Sequence, residues 1–317
     1  MAYAAALIRL MRPHHWIKNG FVLVGILFGH GWADPNLARQ ASLLFAAFCL
    51  VSSAVYVLND VMDRDADRKH PRKRSRPVAA GRIAPGGALA FALLLALAGL
   101  VLAERVSLAA LAFAALYVAL NAGYSAGLRE VAILDVFIIA GGFMLRILAG
   151  TVGLGIAPSQ WLLLCGLMLT IFLGFAKRRA ELVAAPWGAN PVTARANRGL
   201  PAAPGGEGDA AQGADSLAAR SALAGYTPAL LDRMIWLSAG GTLITYALYT
   251  VDNVTILTHG TDKLVYTVPL VLYGLFRYLY LLYRRGGGAD PALEVPGDAH
   301  LLAAAAGWLV LVVVLIA

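Results

Sequence analysis

A chain of 317 residues that is 60% hydrophobic, only 14% charged and of mean hydropathy +0.70 has too little polar surface to cover a soluble globule of its size. Its 26 Lys and Arg outnumber its 18 Asp and Glu, for a net charge of +8. In a membrane protein that excess suits anionic headgroups or a polyanionic substrate rather than nucleic acid. The only cysteines, Cys49 and Cys165, lie in apolar runs with no neighbouring His or Cys, so neither a disulfide framework nor a zinc site is expected.

Apolar runs at roughly 16–33, 39–60, 85–103, 106–122, 132–153, 160–177, 232–251, 264–284 and 300–317 predict nine membrane-spanning helices. Residues 1–317 then form one integral membrane domain of all-α class. Met1 to Leu10 is short and is followed by Arg12-Pro13-His14-His15, which is no cleavable signal pattern, so the first span itself is expected to insert. Trp16 reads as an interface anchor. Arg12, Lys18 and Asn19 either snorkel to solvent or bind phosphate, since polar groups in the first turns of a span need partners.

The second span runs into Asn59-Asp60-Val61-Met62-Asp63-Arg64-Asp65-Ala66-Asp67. If the helix continues, Asp60, Asp63 and Asp67 project from one face, one turn above another, and Asp65 points elsewhere. Stacked carboxylates repel unless a cation lies between them. Hard oxygen ligands suit Mg²⁺, which is usually shared with substrate phosphates. A basic run follows at once, with Arg72, Lys73 and Arg76. Alone it would read as a patch for anionic membrane lipid; beside the acids it reads as the cationic half of a metal-diphosphate site.

Span 4 ends in the polar stretch Asn121 to Arg129, which contains Tyr124, and span 5 carries Asp135 and Arg146. Those two charges share a helix face about three turns apart, too far for direct contact. For either, a helix-to-helix pin and a substrate role are both open. Span 6 ends in Lys177-Arg178-Arg179-Ala180-Glu181. Lys177 and Glu181 are spaced to pair with each other, or Glu181 completes a second metal site or orders cations around a sugar phosphate. Residues 185–215, rich in Gly, Pro and Ala without apolar periodicity, are expected to form a flexible cytoplasmic loop within the domain.

Basic residues crowd the N-terminal segment and the loops after spans 2, 4, 6 and 8, leaving Arg39, Arg105 and Lys263 on the other face. The positive-inside rule therefore places the N-terminus and the acid row in the cytoplasm, and nine spans put the C-terminus outside.

Asn59-Asp60-x-x-Asp63-x-x-x-Asp67, Arg72-x-x-x-Arg76-Pro77-x-x-x-Gly81 and Tyr124 with a nearby cation resemble the UbiA superfamily of intramembrane prenyltransferases. The resemblance covers nearly the whole chain. It implies a helical bundle with a central cavity opening to the membrane, a polar cytoplasmic mouth, and Mg²⁺ binding a diphosphate.

Two departures narrow the resemblance. Prenyl-diphosphate enzymes of the family carry a second DxxxD after span 6, where this chain has Lys177-Arg178-x-x-Glu181; and Leu128, followed by Arg129, stands where a YxxxK element has its lysine. With Arg12-Pro13-x-x-Trp16-x-Lys18-Asn19 and the segment from Tyr266 to Tyr280, the chain looks most like the decaprenyl-phosphate phosphoribosyltransferase branch, placed in a bacterial inner membrane. That branch transfers 5-phosphoribose from phosphoribosyl pyrophosphate to a polyprenyl phosphate in cell-envelope precursor synthesis. The resemblance makes Asp60, Asp63 and Asp67 the metal ligands and catalytic residues, supported by Asn59. Arg12, Lys18, Asn19, Arg72, Lys73, Arg76, Tyr124, Arg129, Lys177 and Arg178 become phosphate or ribose contacts, and Glu181 a second acidic ligand.

Two other functions stay open on the sequence. An aromatic prenyltransferase would use the same first motif with an isoprenyl diphosphate. A transporter or flippase would bind a coupling ion, although binding residues of transporters tend to sit near the midplane and these charges crowd one mouth. The oligomeric state is likewise open, a homo-oligomer included.

Overall fold

The structure, a computed structural model, describes residues 2–29, 31–69, 73–183, 221–284 and 297–316. Arg72 and the stretch 185–215 lie outside the described residues.

Helix starts follow local chemistry. Helix α3 (Pro35–Met62) begins with Asp34 accepting from the Asn36 N–H at 2.8 Å and with proline at its first position, where no N–H is missed. Ser107 caps α6 (Leu108–Ser125) and Thr227 caps α10 (Pro228–Val251) in the same way. The other long helices are α5 (Pro85–Glu104), α7 (Leu134–Gly150), α8 (Gln160–Val183), α12 (Val268–Arg284) and α13 (Ala299–Ile316). Short ones are α1 (Ala2–Met11), α2 (Val24–Phe28), α4 (Arg64–Lys69), α9 (Ser221–Ala224) and α11 (Asn253–His259). The described residues contain no strand.

Eight helical segments among the described residues are long and apolar enough to cross a membrane, where the sequence predicts nine. The difference is the first. Instead of one α-helix over 16–33, a 3₁₀ helix runs from Pro13 to Leu23 and is followed by the five-residue α2. Two glycines beside this stretch sit against another backbone. A Cβ at Gly25 would overlap the Gly150 carbonyl oxygen, and one at Gly150 would overlap that of Val22. The backbones of the first span and α7 thus approach closely, as small residues allow between membrane helices.

Helix α3 packs along α5, and α8 along α10. Gly99 lets the first pair close up, since a Cβ there would lie 2.7 Å from Val51 Cγ1. Between the pairs runs α7, against α6 on one side and α8 on the other. Its Leu145 and Ala149 join the core of the first half, its Val136 and Ala140 that of the second. Successive long helices alternate in direction, so the C-terminal ends of α3, α6 and α8 and the N-terminal end of α7 meet at one end of the bundle.

Candidate active site at the polar mouth

Asp63 caps the C-terminus of α3, yet the Asn59 carbonyl accepts from the Asp63 N–H at 2.9 Å and the Asp63 carbonyl from the Asp67 N–H at 2.8 Å. The chain thus stays nearly helical through the acid row. Asp60 and Asp67 are buried and Asp63 half-buried. Asp65 points away: its side chain is 86% exposed and lies 3.7 Å from Arg68.

Each acid in the row meets a guanidinium. Arg76 Nη1 lies 3.2 Å from Asp60 Oδ1 and 2.6 Å from Asp67 Oδ2, bridging the two. Arg12 also binds Asp60, and Arg129 Nη1 reaches Asp63 Oδ1 at 3.1 Å. The carboxylates are therefore charge-compensated by three helical ends other than their own. Among the described residues no three acid, His or Cys side chains converge at metal-binding distance. The donor set itself, three hard anionic oxygen groups within two turns and two of them desolvated, fits a divalent cation.

A second cluster is built around Arg178 on α8. Its Nε donates to Asp135 at 2.5 Å, its Nη1 to Glu181 at 2.5 Å and its Nη2 to the Tyr124 hydroxyl at 2.9 Å. Asp135 is fully buried and also accepts from the Tyr226 hydroxyl at 2.7 Å. Burial and the Asp135 carboxylate push the Tyr226 phenol well above its ordinary range, so it stays a donor. The same oxygen accepts from the Ile133 N–H at 2.5 Å. Glu181 serves Arg178 rather than standing free, with Lys177 at 3.9 Å as the expected but weaker pair.

The last turn of α6 joins the two clusters. Tyr124 faces Arg178, while the next residue, Ser125, donates to Asn59 Oδ1 at 2.6 Å. Ser125 and Tyr226 are parts of this mouth that their sequence context does not mark as such, and Asp135 acts here as a pin between α7 and α8. The partners of Ser125 and Tyr226 lie 66 and 91 residues away.

Some expected residues lie elsewhere. Asn19 is buried below the mouth, where its amide donates to Ser52 and Cys49 and accepts from Arg146 Nε at 2.8 Å. Arg146 further donates to Gly142 O and the Tyr117 hydroxyl and makes no described contact with Asp135. Lys18 is half-buried in the 3₁₀ helix, and Lys73 is exposed on the short turn that leads into Arg76.

Backbone strain gathers at the same place. Among the described residues Arg12 (φ 52°) and Ile133 (φ 73°) are the non-glycine residues with positive φ. Both flank the site, one presenting a guanidinium to Asp60, the other opening α7 just before Asp135. Such strain persists where surrounding contacts over-determine it, and it is enriched at functional sites.

The model of the UbiA prenyltransferase family matches residues 20–181, a stretch that carries this whole mouth except Arg12, Lys18 and Tyr226. Decaprenyl-phosphate phosphoribosyltransferase of Corynebacterium glutamicum is 30% identical over 319 residues, covering 98% of this chain and 86% of that one. The Mycolicibacterium smegmatis protein of the same name is 39% identical over 182 residues, which span 56% of this chain and 57% of that one. A UbiA homologue from Archaeoglobus fulgidus, solved bound to GPP and Mg²⁺, has the same fold: TM-score 0.68 at 16% identity, covering 98% of this chain and 99% of the other. The same homologue has been solved bound to Cd²⁺. With the motif, the bundle and these relatives in agreement, this multi-pass membrane protein belongs to the UbiA prenyltransferase family.

Proposed function

We propose that the protein transfers 5-phosphoribose from phosphoribosyl pyrophosphate to the phosphate of a polyprenyl phosphate of the decaprenyl type, releasing pyrophosphate. The observation that supports this most is the Arg178 cluster. Where a donor with a long isoprenyl tail would call for a second acidic metal site, the two acids of this cluster, Asp135 and Glu181, are each bound to Arg178 at 2.5 Å. A fixed guanidinium suits a phosphorylated sugar. The similarity to relatives named for this activity supports the same reading.

In the reaction the bond from the anomeric carbon to the pyrophosphate oxygen breaks, and a bond from that carbon to an acceptor phosphate oxygen forms. The acceptor oxygen is already anionic, so no side chain need take a proton. Charge grows on the leaving group and on the sugar, so stabilisation is electrostatic. Asp60, Asp63 and Asp67 would hold Mg²⁺, which supplies Lewis-acid neutralisation of the diphosphate. Arg12, Arg76 and Arg129, now on those carboxylates, are the cations available to phosphate oxygens, with Lys18, Lys73 and Lys177 at the rim. Tyr124 accepts from Arg178, so its own proton is directed away from that guanidinium, toward a ribose hydroxyl or a phosphate.

Membranes containing the protein are expected to convert ribose-labelled phosphoribosyl pyrophosphate into a lipid-extractable product, in a reaction requiring both a divalent metal and polyprenyl phosphate. Absence of lipid-borne label under those conditions would refute the proposal. We also place the mouth on the cytoplasmic side, where the donor is made, because the basic residues crowd it. A cysteine introduced at the turn residue Ser75 should react with an impermeant maleimide in inverted vesicles and not in intact cells; the opposite pattern reverses the orientation.

A further inference from the structure

Asp60, joined to Asp67 through Arg76, also lines a pocket of about 240 Å³ together with Arg9, Arg12, His14, His15, Arg76 and Pro77. Nothing in the transfer chemistry so far uses Arg9 or the two histidines. Three guanidinium groups face two carboxylates here, Asp60 and, through Arg76, Asp67, so one positive charge is in surplus before either imidazole is counted. A phosphate monoester, with about −1.5 to −2 charges at neutral pH, meets that surplus.

Size limits what enters. Whole small-molecule ligands occupy pockets of about 300–1,000 Å³, so this one takes a headgroup and leaves the rest of its bearer outside. What lies outside is apolar. Helix α1 buries Ala6 and Leu10 against the core of α3 and α5 and turns Tyr3 and Ile8 outward, both close to 60% exposed. Ile17, on the 3₁₀ helix that begins after Arg12, is likewise 62% exposed. In a membrane-embedded chain such a surface faces acyl chains. The left-handed turn at Arg12, closed by the His15 N–H to the Arg12 carbonyl at 2.9 Å, sets the cationic groups between this apolar front and Asp60.

From this juxtaposition we infer that the pocket is the acceptor's seat: Arg9, Arg12, His14 and Arg76 hold the phosphate monoester of the polyprenyl phosphate, which enters from the leaflet with its chain along Ile8 and Ile17. The inference rests on the phosphoribosyl-transfer reading for the acceptor's identity. It separates the substrates around Asp60, with the lipid phosphate on the α1 side and the diphosphate on the α6 and α8 side.

Two experiments on the full-length protein test it. The double variant Arg9→Ala, His14→Ala removes two exposed side chains, so folding should be untouched. Its KM for polyprenyl phosphate should rise about tenfold, the scale of one lost charge-assisted hydrogen bond, with kcat and the KM for phosphoribosyl pyrophosphate within about twofold of wild type. A rise in the donor's KM instead would assign the pocket to the sugar 5-phosphate and overturn the proposal; so would no change in either. In the second experiment no donor is present: farnesyl monophosphate should stabilise the wild-type protein in detergent and not the double variant, while farnesol stabilises neither. Equal stabilisation of both proteins by farnesyl monophosphate, or competition by phosphatidylglycerol at equal concentration, would make this a general headgroup patch and overturn the proposal. If the wild type forms no phosphoribosyl lipid, the functional reading fails, and the binding experiment still reports on the pocket independently.

Discussion

Asp63→Asn is expected to reduce transfer by at least about 10²-fold, the scale of losing one group that stabilises transition-state charge, while leaving the amount of folded protein unchanged. Asp63 is the cleanest of the three acids to change. It is partly exposed at the end of α3, and its one described ion pair is with Arg129, itself 38% exposed. Exposed pairs of this kind contribute about 0–1 kcal/mol to stability. Asp60→Asn would instead disturb a buried carboxylate shared by Arg12 and Arg76 and would mix stability with activity. The Asp63→Asn result is read from initial rates at saturating donor and acceptor, alongside gel filtration and thermal unfolding in detergent. A variant that folds and turns over normally would remove Asp63 from the metal site.

Asp135→Ala should produce the largest loss of stability at the mouth, about 3–5 kcal/mol, the range for breaking a buried ion pair from one side. Three consequences combine. Arg178, 12% exposed, loses its Nε partner; the Tyr226 hydroxyl loses its acceptor; and the strained Ile133 turn loses the arrangement that satisfies its N–H. Asp135→Asn keeps an oxygen for Tyr226 and should fall between wild type and Asp135→Ala. Thermal unfolding in detergent checks both, and an Asp135→Ala protein as stable as wild type would contradict the role of this network. Activity should fall as well, because Arg178 positions Tyr124.

What the sequence predicts well is what one helix determines alone. The three- and four-residue spacing puts Asp60, Asp63 and Asp67 along nearly continuous helical backbone and turns Asp65 outward, and eight of the nine expected spans are long helices. Which neighbour each face meets depends on how helices rotate and cross, and periodicity carries no record of that. Asp135 therefore finds Arg178 and Tyr226 instead of the residues beside it, and Asn19 turns inward to Arg146 although its position at the span entrance pointed to the mouth. The irregular first span belongs to the same class. Nothing beside Gly25 and Gly150 in the sequence shows that their backbones press together. The two positive-φ residues, Arg12 and Ile133, are not glycines, so no local composition marks them.

The central claim is that the diphosphate bound at the acid row carries a ribose and that the isoprenoid is the acceptor. The most direct test offers the purified protein two substrate pairs with Mg²⁺ and identifies products by mass spectrometry: phosphoribosyl pyrophosphate with a polyprenyl phosphate, and an isoprenyl diphosphate with hydroxybenzoate. The expected result is a polyprenyl phosphate heavier by one 5-phosphoribosyl group from the first pair and no prenylated aromatic from the second. Prenylated hydroxybenzoate, with the polyprenyl phosphate returned unchanged, would contradict it.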